Sequence, residues 1–191
     1  LHECKDFASR KKGSTKDPAN YRYIVVGSIF VKVLLKMMER RLYRVAEKEG
    51  WLRNEAFGGR RGIGVQEALT MINRVKEDGE EMMMEALIIA LTQHDMRKAY
   101  PRTDVRFVEL VMQQLGIADI PGVKLMHDCH RMAVHKFGEA EGKLKNGLKE
   151  GCVSSPLLFN ILFNVVARVA DESCESEGER LRVRYKKGRL Q

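Results

Sequence analysis

The run EALIIALTQHDMRKAYPRTDV, Glu85 to Val105, confines the fold more than any other stretch of the chain. Ala86 to Leu91 is apolar, short and bounded by charge, which suits a central strand covered on both faces better than an amphipathic helix. Asp95 follows closely, so such a strand would deliver a carboxylate to its own end, with Arg97, Lys98 and Tyr100 directly behind it. An acid in that place needs a partner. On spacing alone the plainer reading is a capping or ion-paired aspartate that opens the next helix. A metal ligand held on a rigid strand is the sharper one.

The rest of the chain leaves room for a fold built around such a strand. With 191 residues, 44% of them hydrophobic and 31% charged, it can bury a core of one or two compact domains. Lys and Arg outnumber Asp and Glu by 34 to 26 and are spread through the sequence, so a polyanionic partner is plausible without being required. Cys4, Cys129, Cys152 and Cys174 stand far apart with no C-x-x-C pair, which argues against a zinc ribbon or disulfide scaffold and for a reducing compartment. HDCHRMAVH gathers His127, Cys129, His130 and His135, but at no zinc-site spacing. No apolar run approaches the ~20 residues that cross a bilayer, so the expectation is a soluble, intracellular protein with no membrane partner. The start without Met at LHECKDFASRKKGS and the strand-like end RVRYKKGRLQ suggest a piece of something longer.

Residues 1 to 22 read as strand ends and a basic loop. From Ser28 to Glu49 the pattern is helical, with Phe30, Leu34, Met38 and Leu42 on one face and Gly50 as the stop. The stretch GWLRNEAFGGRRGIG is a glycine-rich, arginine-bearing turn, and Val65 to Val75 reads as a helix closed by KEDGEE. Asp104 to Leu115 makes an amphipathic helix ended by Gly116, and Pro121 starts another. Arg131 to Lys145 suggests a strand pair turning at FGEAEGK. In SSPLLFNILFNVVARVADE, Ser155 can cap, Pro156 fits the first turn, and Leu158, Leu162, Val165 and Val169 form an apolar stripe.

Four of these segments, in order, resemble the reverse transcriptase domain of non-LTR retrotransposons and their group II intron relatives. DPANYRYIVVGSIFVKVLLKMMERRL is similar to the fingers segment, FGGRRGIGVQEAL to the Gly-Phe-Arg-x-Gly-x-x-Thr segment, HDMRKAYPR to the first palm motif, and GLKEGCVSSPLLFNILF to the Gly-x-x-Gln-Gly-Cys-x-x-Ser-Pro-x-Leu-Phe-Asn motif. RLRVRYKKGRLQ looks like the basic ribbon that some of these elements carry before their last palm motif. The resemblance implies an α+β fold, predominantly helical, with polymerase-type fingers over residues 1–84 and an incomplete palm over 85–191.

It also implies site roles. Asp95 would be the catalytic carboxylate and a Mg²⁺ ligand, since two-metal nucleotidyl transfer needs carboxylates bridging ions about 3.5–4 Å apart. Arg22 would grip the triphosphate with its planar fork. Tyr100 would crowd the sugar 2′ position, and Glu150 and Gly151 would line the nucleotide pocket, where Gly permits close backbone approach. Arg60, Arg61, Ser155 and Pro156 would meet template and primer. RNA template, DNA primer and dNTP are the implied partners, and the nucleus the implied location if the chain comes from a eukaryotic retroelement.

Three positions depart from the family pattern: Glu150 stands where it has Gln, Pro101 where many relatives have Asp, and Gly59 where Phe is usual. The Tyr/Phe-x-Asp-Asp motif is absent from the 191 residues, and no thumb segment is recognisable. A catalytically inactive nucleic-acid-binding remnant of a degraded element is therefore the alternative. A helical interaction protein is a third reading, which leaves the ordered motifs unexplained.

Overall fold

The structure is a computed structural model that describes residues 3–17, 20–54, 56–82, 96, 98–143, 146–175, 185–186 and 189–190. The strand expected over Ala86–Leu91 and the Asp95 expected at its end both lie outside the described residues. What is described is a mixed α/β arrangement of six helices and a four-stranded mixed sheet, with a separate two-stranded ribbon. No helix among the described residues is long and apolar enough to cross a membrane.

Strands β1 (Glu3–Arg10) and β2 (Tyr21–Gly27) form an antiparallel hairpin running from Cys4 opposite Gly27 to Arg10 opposite Tyr21. β3 (Val134–Phe137) and β4 (Ala140–Lys143) are the expected strand pair, turning at Gly138. The two hairpins join because β3 pairs with β1 in parallel, Cys4 opposite His135, giving the order β2-β1-β3-β4. Nothing local in the sequence announces that junction. β5 (Tyr185–Lys186) and β6 (Arg189–Leu190) pair antiparallel, as the basic ribbon was expected to do.

Helix α1 (Ile29–Lys48) ends where Gly50 takes a positive φ and Trp51 N–H donates back to the Ala46 carbonyl. Its buried face is Leu35, Glu39, Leu42, Tyr43 and Ala46, not the stripe expected from Phe30, Leu34, Met38 and Leu42: Phe30 is 83% exposed. The helix has apolar residues on two sides, and the inward side is the one that carries Glu39, a carboxylate with cationic partners. α2 (Val65–Met82) runs through KEDGEE rather than stopping there. A single Gly in a helix costs about 1 kcal/mol against Ala, which disfavours the helix without ending it.

α3 (Ala99–Arg102) is a short turn. α4 (Val105–Gln114) is capped by Asp104, whose carboxylate accepts from Arg106 N–H at 2.9 Å, and closes at Gly116 with φ 69°. α5 (Pro121–Arg131) has Pro121 in its first turn, where the missing N–H costs nothing. A Cβ on Gly122 would stand 2.6 Å from Met38 Sδ, so glycine lets α5 approach α1 closely.

α6 (Ser155–Glu175) buries Leu157, Leu158, Ile161 and Leu162, while Val169 is 56% exposed, so the expected stripe fails in its last turns, where the helix outruns the core. These residues pack with Leu35, Leu42, Val108, Met112, Val123 and Met126 in one core shared by α1, α4, α5 and α6. The sheet adds only a small cluster of Cys4, Val25 and Ala133.

Candidate functional site

The β1–β2 hairpin is stiffened at its turn. Lys11 N–H donates to the Asn20 carbonyl at 2.7 Å, Asn20 Nδ2 donates to the Ser14 carbonyl at 3.0 Å, and Tyr21 Oη donates to the Thr15 carbonyl at 2.9 Å. These bonds fix Lys11, Tyr21, Arg22 and Tyr23 relative to one another. A loop facing them, residues 147–151, ties the free edge of β2 to α3. Val25 N–H donates to the Glu150 carbonyl, and Leu148 N–H to the Tyr100 carbonyl, both at 2.8 Å.

Two glycines make that approach possible. Gly151 has φ 95°, and a Cβ there would lie 2.9 Å from the Val25 carbonyl oxygen; Gly147 has φ 107°, and a Cβ there would lie 2.7 Å from the Pro101 carbonyl oxygen. Side-chain-bearing residues rarely adopt such a φ, and neither place has space for one. Arg22 and Glu150, 128 positions apart in the chain, thereby meet at one cleft, while Tyr100 lies close enough to feel the Glu150 charge and Gly151 packs on the Val25 backbone behind it.

The cleft holds about 120 Å³ between Lys11, Tyr21, Arg22 and Tyr23 on the hairpin side and Lys98 and Glu150 opposite, with Pro101 beside them. Pockets for whole small molecules run about 300–1,000 Å³, so this one has room for a group of phosphate size, and the sugar and base of a nucleotide would lie outside it. Arg22 Nε stands 3.9 Å from Glu150 Oε2, and that buried oxygen has no hydrogen-bond partner among the described residues. Burial pushes the Tyr100 hydroxyl above the usual tyrosine range, and the Glu150 charge pushes it further, so it stays neutral at physiological pH. The Tyr100 ring is held edge-on against Phe159 of α6, centroids 5.3 Å apart.

Arg60 and Arg61 are not part of this cleft. Arg60 grips Glu47 with both Nε and Nη2, at 3.1 and 2.7 Å, and donates a third bond to the Arg53 carbonyl. Arg61 reaches Glu39 at 3.2 Å and lies over the Tyr43 ring, 4.6 Å from its centroid. Both arginines fasten the glycine-rich turn to α1. The same turn lies on the start of α6: Asn160 Nδ2 donates to the Gly58 carbonyl, and a Cβ on Gly59, whose φ is 73°, would meet Pro156 Cβ at 3.2 Å. That crowding leaves little room at position 59 for a side chain. Ser155 is buried and its hydroxyl donates to the Lys149 carbonyl at 2.7 Å, rather than capping α6, so it holds the loop from behind.

Beneath the loop is a polar network that sequence reasoning missed. Lys149 N–H donates to His130 Nδ1, which leaves the proton on Nε2, 3.1 Å from Ser154 Oγ. The buried Lys149 Nζ stands 3.7 Å from Cys4 Sγ. Three of the four cysteines that looked isolated, Cys4, Cys129 and Cys152, are close enough to affect one another, and burial pushes the Cys4 and Cys129 thiols upward. Among the described residues no group of three or more His, Cys, Asp or Glu could hold a metal ion. Lys11, Tyr21 and Lys98 were likewise not singled out for the cleft. The signal for Lys98 was its place in the same short motif as Tyr100.

The described residues form a mixed α/β domain in which a hairpin and a glycine-bearing loop border a cleft lined by Lys11, Arg22, Lys98 and Glu150. The family model for reverse transcriptase (RNA-dependent DNA polymerase) matches residues 9–185, and the chain belongs to that family.

Proposed function

We propose that the chain forms the nucleotide- and template-contacting part of an RNA-directed DNA polymerase of the non-LTR retrotransposon or group II intron type. Residues 1–84 serve as fingers and 85–191 as an incomplete palm. The observation that supports this best is the meeting of Arg22 and Glu150 at one cleft, with Tyr100 near enough to Glu150 to feel its charge and the Gly151 loop bonded to β2. In this reading Arg22 binds the phosphates of a dNTP, Gly151 lets the nucleotide approach the loop backbone, and Tyr100 bounds the sugar. Arg60 and Arg61 hold the turn that faces template, with Ser155 and Pro156 supporting it.

Mg²⁺ is the cofactor proposed for the complete enzyme, where it would activate the primer 3′ oxygen and steady the leaving pyrophosphate. The described residues do not fit it by themselves: they offer no metal-holding cluster, and the carboxylate at the cleft, Glu150, faces Arg22. Asp95 is the ligand assigned by resemblance. RNA template, DNA primer and dNTP are the proposed partners, inside the cell, and in the nucleus for a eukaryotic element.

The second reading, a nucleic-acid-binding remnant without catalysis, draws on Glu150 in the place of Gln and on the absence of any Asp-Asp pair in the 191 residues. Primer extension beside a filter-binding salt series separates the readings for this chain. Binding of primer–template that falls steeply with salt, without extension, is the expected result, because phosphate contacts release counterions. Extension that disappears in Asp95→Ala would show the 191 residues to be a working polymerase. Absent or salt-insensitive binding would favour an interaction protein.

A further inference from the structure

A pocket of about 390 Å³ opens between α1 and the start of α5, and it shares no lining residue with the Arg22–Glu150 cleft. The two helices touch where Met38 meets Gly122, and beside that contact the pocket reaches the main core. Leu42, Ile117, Val123 and Met126 form its buried wall, while Val45 and Ile120 at its rim are 43% and 49% exposed. Every lining residue but Arg41 is apolar, glycine or proline. Whole small molecules occupy pockets of about 300–1,000 Å³ built in this way, apolar with a few placed polar groups. A docking helix needs instead a long groove with anchors at successive turns.

Arg41 decides the charge of the ligand. The positions one turn from it on α1 are Met37, Met38, Arg44 and Val45, so the helix places no carboxylate beside it and adds a second guanidinium. The acids further along α1 are engaged elsewhere: Glu39 by Lys36 and Arg61, and Glu47 by Arg60. Among the described residues Arg41 and Arg44 have no ion-pair partner. A guanidinium at an apolar pocket suits a planar anion, which its fork can hold through two parallel hydrogen bonds. Met38 and Met126 suit the other end, because thioether side chains adapt to irregular apolar shapes. We propose that this pocket binds a free single-chain amphiphile with a carboxylate head, its hydrocarbon lying against Leu42, Val123 and Met126 and its carboxylate on Arg41. The site is independent of the nucleotide reading.

The test titrates decanoate, decanol and decylamine, each below its micelle concentration, into the 191-residue chain by calorimetry, and follows the methionine methyl signals by NMR. One decanoate should bind per chain and move the Met38 and Met126 signals. Decanol should bind about tenfold more weakly for want of the charged hydrogen bond, and decylamine more weakly still. Arg41→Gln should bring decanoate down to the affinity of decanol and leave decanol unchanged, which separates the headgroup contact from any change in the fold. Val45→Glu sets a carboxylate at an exposed position one turn from Arg41 and should abolish decanoate binding in a chain that thermal melts show to be folded.

A chain that shows no saturable decanoate binding would overturn the proposal. So would an Arg41→Gln variant that weakens decanoate and decanol equally, or neither of them, since the guanidinium would then have no part in recognising the head. Decanoate that still binds Val45→Glu, or that leaves the Met38 and Met126 signals unmoved, would lie elsewhere on the apolar surface and contradict the assignment as well.

Discussion

Arg22 and Glu150 face each other across the cleft, Nε 3.9 Å from Oε2, and the carboxylate oxygen on that side is buried with no hydrogen bond among the described residues. The pair contributes little to stability, because Arg22 is 63% exposed and water screens the attraction. Its effect falls on the ligand. A phosphate approaching Arg22 must compete with Glu150 and be repelled by it.

Glu150→Gln should therefore tighten dTTP binding by about 1–3 kcal/mol, the range for relieving a badly paired charge, and leave Tm unchanged. Isothermal titration and a melt on the same preparation check both halves. Weaker binding would mean that Glu150 accepts a hydrogen bond from the ligand instead.

Gly151→Ala should destabilise the fold by about 1–3 kcal/mol, the usual cost of an enforced unfavourable backbone conformation. Its methyl would lie 2.9 Å from the Val25 carbonyl oxygen and push the loop off β2. Denaturant titration reads the loss, and amide exchange should show Val25 N–H, which donates to the Glu150 carbonyl, exposed in the variant.

The Arg60–Glu47 clamp should make stability fall in acid. Hydrogen bonds from Arg60 hold the Glu47 carboxyl below the usual carboxylate range. A carboxyl depressed in the folded state adds stability that is complete above its unfolded pKa and disappears as pH drops through the folded value. Arg60→Met should cost about 1–2 kcal/mol at neutral pH, and the gap from wild type should close as pH passes below the ordinary glutamate range. A gap that stays constant in acid would show that Arg60 acts through packing.

Gly59→Phe should lower stability, by at least the roughly 1–2 kcal/mol of a left-handed side-chain-bearing residue. Pro156 and Asn160 already crowd that Cβ position at 3.2 and 3.3 Å. A Tm equal to wild type would mean that the turn can leave α6 freely.

The helix ends were legible because their signals are local: Asp104 as a cap, Gly116 and Gly50 at left-handed stops, Pro121 in a first turn. The β3–β4 pair was legible for the same reason. The buried side of α1 was not, because Glu39 reads as a surface residue until Arg61, 22 positions later, folds onto it. The parallel pairing of Cys4 with His135 has no local signature, nor has the gathering of Cys4, Cys129 and Lys149 beneath the loop. Motif order brought Arg22, Tyr100, Glu150 and Gly151 to notice, but only the structure gives the ion pair.

The central claim is that a nucleotide lands at the Arg22–Glu150 cleft, and photolabelling with azido-dATP tests it most directly. A second cleft, between α4 and α5 around Glu109, Lys124, His127 and Arg131, is larger at about 600 Å³. Peptide mapping of the labelled chain should place the adduct on β2, on Lys98 to Pro101 or on the 147–151 loop, and Arg22→Ala should abolish it. An adduct on α4 or α5 that survives Arg22→Ala would contradict the account.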